Sequence, residues 1–245
     1  MSKINQPFVM TSAEYVTLHF SIRGTQSQMD TRCPDSLNLG YTRTMMGFLL
    51  FKPQPARIAM IGLGGGSMAK FCYRHLRAAD ITVIEINPHV IALREQFQVP
   101  PDCARFRVIE DDGANFVRTC RDRFDVLLAD GYDLGGLPRR LGSRRHYEKC
   151  AAILEPDGLL VANLHLDSAD YALQVERIGA CFGDATLAVE DAAEGHGIVF
   201  ASRGALRQPV LPPPETLGLD AASRDWADLR AAMLRVAAAH AGQRA

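Results

Sequence analysis

The sequence predicts a doubly wound α/β fold with a mostly parallel, seven-stranded sheet and a small β-rich appendage at its N-terminus. Three observations carry this reading. Short apolar runs alternate with helix-compatible segments through the middle of the chain, the runs are continuously apolar, and the first of them breaks into Gly62, Gly64, Gly65 and Gly66 before a helix begins. Continuously apolar strands belong to a sheet covered on both faces, and regular strand–helix alternation makes those strands parallel. Glycines at such a turn permit positive φ and let a ligand approach the unpaired first amides of the helix.

In chain order, residues 1–40 alternate loosely, as in the run from Tyr15 to Ile22, and predict short antiparallel strands followed by a loop closed by Pro34 and Gly40. Tyr41, Met45, Phe48 and Leu49 recur at helical spacing until Pro53 and Pro55 end the pattern. Strands are then expected at 57–62, 81–86, 105–110, 124–129 and 158–163, with helices at 67–77, 88–97, 113–121, 143–154 and 168–182 between and after them. Ser143 is placed to cap the fourth of these helices. Residues 186–189 and 198–202 read as a final hairpin, Pro209 to Pro214 as a linker, and Trp226 to Ala239 as an amphipathic helix. The organisation expected is an appendage over 1–40, an α/β domain over 41–205, and a linker with C-terminal helix over 206–245.

Lysine plus arginine (27) nearly balances aspartate plus glutamate (28), so no global field favours nucleic acid or an anionic membrane as a partner. The six cysteines include no C-x-x-C pair, the first residues lack an apolar signal core, and no apolar run approaches the roughly 18–20 residues of a membrane span. A cytoplasmic protein with reduced thiols and a small-molecule substrate is expected. No two histidines stand at H-x-x-x-H spacing, so no metal site is implied.

Chemistry-bearing residues collect at the strand ends, where open α/β sheets bind ligands near the reversal of strand order. Glu85 ends the second strand about 20 residues beyond Gly64, the distance at which a carboxylate can accept from both hydroxyls of a ribose. Glu110, Asp111, Asp112 and Gly113 end the third, where a carboxylate can accept from an exocyclic adenine amine; Asp130 ends the fourth, with Asp133 in the loop beyond. Each has a plainer alternative. Glu85 and Asn87 could cap the helix after Pro88, Asp111 or Asp112 could cap the helix opening at Gly113, and Asp130 could bond its own loop. A dinucleotide fingerprint would need glycine at position 67, where the chain has Ser67.

On these residues, 57–165 resembles the class I methyltransferase fold and, within it, the spermidine synthase (polyamine aminopropyltransferase) family. The matching stretches are Gly64-Gly-Gly-Ser-Met-Ala69, Val83-Ile-Glu-Ile-Asn87, Asp111-Asp-Gly113 and Asp130-Gly-Tyr-Asp133. The resemblance implies a transferase of polyamine biosynthesis acting as a homodimer, with decarboxylated S-adenosylmethionine or S-adenosylmethionine as donor. It further implies that the glycine loop, Ser67, Glu85, Ile86, Asp111, Asp112, Gly113, Gln26 and Tyr41 hold the donor. Asp130, with Asp133, would be catalytic, taking a proton from the attacking amine; Tyr132 and Tyr147 would wall the substrate pocket. Two departures stand out. Ser67 replaces the family's aspartate, which pairs with the donor's ammonium, and Arg139, Arg140, Arg144 and Arg145 crowd the expected entrance. They keep open a methyltransferase acting on an anionic small molecule, and, from a different class, a catalytically silent nucleoside-binding protein.

Overall fold

The computed structural model describes residues 5–22 and 24–243. Three antiparallel strands, β1 (Phe8–Thr11), β2 (Tyr15–Ser21) and β3 (Gly24–Asp30), form a sheet in sequential order. Helix α1 (Gly40–Met45) tightens into a 3₁₀ turn over Met46–Leu50 and leads into the main sheet.

That sheet contains β4 (Arg57–Ile61), β5 (Asp80–Glu85), β6 (Phe106–Glu110), β7 (Phe124–Ala129), β8 (Leu154–His165), β9 (Thr186–Asp191) and β10 (His196–Ser202). Its order is β6-β5-β4-β7-β8-β10-β9, with β10 antiparallel to both neighbours and the other pairings parallel. The chain works outward from β4 through β5 to β6, then crosses back to β7. The carboxyl ends of β4 and β7 therefore flank the switch point, where a crevice opens because the following connections leave in opposite directions.

Period-two alternation sorts the strand residues into two buried layers. Ile58, Met60, Val83, Val126, Leu128, Val161 and Phe200 face one side. Ala59, Ile61, Ile84, Leu127, Leu160, Ala162 and Val199 face the other. Helices α4 (Gly113–Thr119), α5 (Arg144–Ala152) and α6 (Tyr171–Phe182) cover the second layer through Phe116, Tyr147, Cys150 and Ile178. The first layer is covered by α1, by α2 (Ser67–His75), by Val16, Leu18 and Met29 of the small sheet, and by the C-terminal helix α7 (Arg224–Gln243). Trp226, Leu229, Met233 and Val236 make α7 part of that core, and the helix is longer at both ends than its apolar pattern predicts.

One expected helix is cut short. The segment 88–97 holds only a single turn, α3 (Pro88–Ile91), because Leu93 and Arg94 donate to carbonyls three residues back and the chain then unwinds to a positive φ at Gln98. The carbonyl of Phe97 is taken by the buried ammonium of Lys70 at 2.8 Å, so the turns end on a side chain of α2. Among the described residues no helix is long and apolar enough to cross a membrane, and all six cysteines are free thiols.

Candidate active site

The rim is built by backbone first. Gly62 donates to the Ile84 carbonyl at 2.8 Å, and Asp130 donates to the Ile61 carbonyl at 2.9 Å, so the ends of β5, β4 and β7 are stitched in line. Gly62 takes φ of 97°, and a Cβ there would lie 2.2 Å from the Asp130 carbonyl oxygen. No shift of a flexible side chain can relieve that overlap, since both partners are backbone. Gly62→Ala is accordingly expected to destabilise the fold by about 2–4 kcal/mol, read as a fall in urea midpoint.

Above this rim opens a cavity of about 680 Å³. Glu85, at the end of β5, is only 8% exposed. Its Oε2 accepts from the Leu63 amide at 2.9 Å and its Oε1 from the Asn87 amide at 2.8 Å. Burial pushes its carboxyl above the usual range, against the opposite pull of these amides. Asn87, not Glu85, caps α3 by accepting from the His89 amide. Ile86 beside it turns an exposed apolar face to the cavity.

At the end of β6 the two aspartates divide. Asp111 accepts from the Asp112 amide and from the Asn115 side chain and does not line the cavity. Asp112 does line it: Oδ1 caps α4 by accepting from the Ala114 amide at 2.9 Å, and Oδ2 meets the Arg140 guanidinium. Gly113 follows on the wall, its missing Cβ making room for Ile61.

Asp130 closes β7 and makes no bond to its own loop. Its Oδ2 accepts from the Tyr41 hydroxyl at 3.1 Å and its Oδ1 from the Asn163 amide nitrogen at 2.8 Å. Burial pushes the Asp130 carboxyl up, while Asn163, Tyr41 and the nearby His196 and His165 oppose the shift. Burial and the Asp130 charge in turn push the Tyr41 phenol well up, which keeps it a hydrogen-bond donor. Tyr132 stacks on His165 with ring centres 3.9 Å apart, donates to the Asn163 carbonyl and accepts from the His165 amide. Asp133 is exposed on the same rim, and its Oδ1 accepts from the Gly135 amide at 2.7 Å.

Of the remaining expected residues, Gln26, Tyr41, Gly64 and Ser67 line the cavity. Gly65 and Gly66 do not: their missing Cβ atoms admit Ser27 with Phe97 and Val99 respectively, so these two glycines serve packing beneath the loop. Tyr147 is also misplaced by the sequence reading. It is 2% exposed in the second core layer, with its hydroxyl bonded to the Gln174 side chain, because α5 turns this residue toward the sheet. The arginine cluster is reduced as well. Arg139 and Arg140 reach the cavity, whereas Arg144 pairs with Glu148 on α5 and Arg145 lies exposed outside.

The sequence reading missed Asn163 and His196. The Oδ1 of Asn163 is 2.8 Å from Nδ1 of His196, whose ring stacks on Tyr41 at 4.5 Å. Asn163 was within reach of the strand-end rule, since β8 carries it to the same rim as Asp130. Glu194, in the turn before β10, adds a further carboxylate to the cavity wall. Among the described residues no cluster of three histidine, cysteine or carboxylate side chains could hold a metal ion.

Comparison with known proteins matches residues 38–174 to the spermine/spermidine synthase domain. A polyamine aminopropyltransferase of Chromobacterium violaceum is 37% identical over 188 residues, spanning 76% of this chain and 72% of its own. Among solved structures, a probable spermidine synthase from Corynebacterium glutamicum superposes with a TM-score of 0.72 at 19% identity, covering 93% of this chain and 83% of that one. A spermidine synthase in complex with the transition state analogue AdoDATO gives 0.70 at 18% identity, covering 94% and 86%. At such identities the structural likeness is one of fold.

Proposed function

The chain belongs to the spermine/spermidine synthase family, and on that premise we propose that it transfers an aminopropyl group from an adenosyl sulfonium to an amine acceptor. The observation that carries the reading is the half-buried carboxylate of Asp130, held on both oxygens at the switch point of the sheet and facing the cavity. In this mechanism Glu85 accepts from the ribose hydroxyls, and Ile86, Asp112 and Gly113 surround the adenine. The amine nitrogen attacks the carbon next to sulfur. The carbon–sulfur bond breaks with its electron pair going to sulfur, which becomes a neutral thioether, and the proton on nitrogen passes to Asp130. Little beyond positioning and a base is required, because the sulfonium is already an activated leaving group.

The charge lining the cavity supports a cationic acceptor over an anionic one. Five carboxylates, Glu85, Asp112, Asp130, Asp133 and Glu194, face two guanidinium groups, and Arg140 is already paired with Asp112. The methyltransferase reading drew on Ser67 and on four arginines at this entrance, and of the four only Arg139 is left there without an ion-pair partner among the described residues.

The donor in this reading is decarboxylated S-adenosylmethionine, and the test is formation of methylthioadenosine from it by the purified protein in the presence of a diamine. Absence of product, with or without S-adenosylmethionine as substitute donor, overturns the proposal. Ser67 supplies a sharper check. It opens α2 at the cavity, where the first turn carries no acidic residue. Ser67→Asp would place a carboxylate against the donor's ammonium and at a helix N-terminus, and is expected to raise kcat/KM for the decarboxylated donor about tenfold or more. Pairing of two subunits belongs to the same proposal, supported by the exposed apolar Phe8 and Met10 on edge strand β1, and light scattering at the dimer mass tests it.

A further inference from the structure

We propose that His196 is the positioning and specificity residue for the acceptor, fixing Asp130 through Asn163 and presenting its own Nε2 lone pair to the incoming amine, so that primary amines are selected. The inference rests on the aminopropyltransferase reading and goes beyond it in naming the group that recognises the acceptor.

The argument begins with the amide of Asn163. An ionised carboxylate only accepts, so the amide nitrogen faces Asp130 Oδ1 at 2.8 Å and the amide oxygen must face away. That oxygen lies 2.8 Å from His196 Nδ1, which therefore carries the proton. Neutral His196 then has its lone pair on Nε2 alone, and Nε2 makes no hydrogen bond to a described residue. The ring lines the cavity and is held on three sides. Tyr41 stacks on it at 4.5 Å, His165 stands edge-on at 4.9 Å, and Asn163 binds Nδ1. The register of β8 against β10 sets His196 directly opposite His165, so the arrangement is a product of the sheet. Burial, with His165 beside it, lowers the His196 imidazole below its ordinary value and favours the neutral ring.

A neutral primary amine has two N–H groups and one lone pair. Asp130 accepts from the N–H whose proton leaves, Nε2 accepts from the second, and the lone pair is left for the donor carbon. A secondary amine has a single N–H, so an alkyl group would face Nε2 and leave it unsatisfied in a desolvated pocket. A site built to bond an N–H discriminates against the analogue lacking it more strongly than shape alone allows.

The test measures kcat/KM for diaminobutane and for its N,N′-dimethyl derivative with wild-type protein, His196→Phe and His196→Asn. Wild type should prefer the primary diamine by about 10- to 100-fold. In His196→Phe, which keeps the stacked ring but neither nitrogen, turnover should fall and the preference shrink to within about threefold. His196→Asn can still donate to Asn163 from near the Nδ1 position, and should regain turnover with diaminobutane while the preference stays small. Methylthioadenosine binding within about twofold of wild type shows that each variant keeps its fold; if His196→Phe does not, His196→Asn decides. Undiminished preference in either folded variant overturns the role of His196, and a steric origin would show as full preference in His196→Phe. Absence of transfer to both amines by wild type overturns the underlying reading instead.

Discussion

Asp130→Asn is expected to lower turnover by a factor of about 10²–10⁴, the range a general base contributes, while leaving donor binding nearly intact. The substitution removes the proposed proton acceptor with little disturbance of shape. Asn163 can still donate to an amide oxygen at the Oδ1 position, and the Tyr41 hydroxyl, which now donates at 3.1 Å, can rotate and accept from the new amide nitrogen. The measurement is kcat for methylthioadenosine release beside calorimetric titration of methylthioadenosine. Retention of more than about a tenth of wild-type kcat would remove Asp130 from the role of base.

The same carboxylate ties activity to stability through pH. Burial raises its folded value above the unfolded one, so the folded state holds its proton more tightly. This group's contribution to stability therefore falls as pH rises from the ordinary carboxylate value through the raised folded one, and the cost is fully present above it. The proposed base would be ionised in that same upper range. Asp130→Asn should lack this slope and melt at a higher temperature than wild type at neutral pH, a gain in stability won by losing the function.

What could be read in advance follows from the range over which each interaction acts. The glycine loop, Glu85 and Asp112 are local features, since a strand end, its turn and the next helix cap are all within a few residues of one another. Asp112 as the cap of α4, one of the alternatives left open, needed only the spacing to Ala114. Tyr147 failed because its direction depends on which sheet face α5 covers, and a helix of nine residues after a glycine-containing loop does not announce that. The partnership of Asp130 with Asn163 spans 33 residues and exists because β7 and β8 run parallel side by side. His196 arrives from an antiparallel strand through a turn, and no periodicity marks it. Tyr41 lies 89 residues from Asp130, so only the likeness to a family suggested that they meet.

Glu85→Gln separates binding from chemistry and should be the counterpart of the Asp130 variant. The Glu85 carboxylate accepts from Leu63 of the glycine loop at 2.9 Å and from Asn87 at 2.8 Å, with the Ile86 and Gly64 amides also directed at it, and in the proposed reading it takes the hydroxyls of a ribose as well. Glutamine offers a single oxygen. Whichever way its amide turns, two donors confront each other at a site only 8% exposed, leaving a buried N–H unsatisfied at a cost of about 1–3 kcal/mol. One ribose hydroxyl also loses its acceptor. Because the Leu63 amide belongs to the loop that leads into α2 and lines the cavity, the wall loosens at the proposed donor site. Together these losses should weaken methylthioadenosine binding by about 10²-fold and raise the donor KM in step, with kcat at saturation falling far less than in Asp130→Asn. If the two variants instead lost kcat alike with donor affinity unchanged, Glu85 would be a strut of the glycine loop, and the nucleoside would have to be held elsewhere in the cavity.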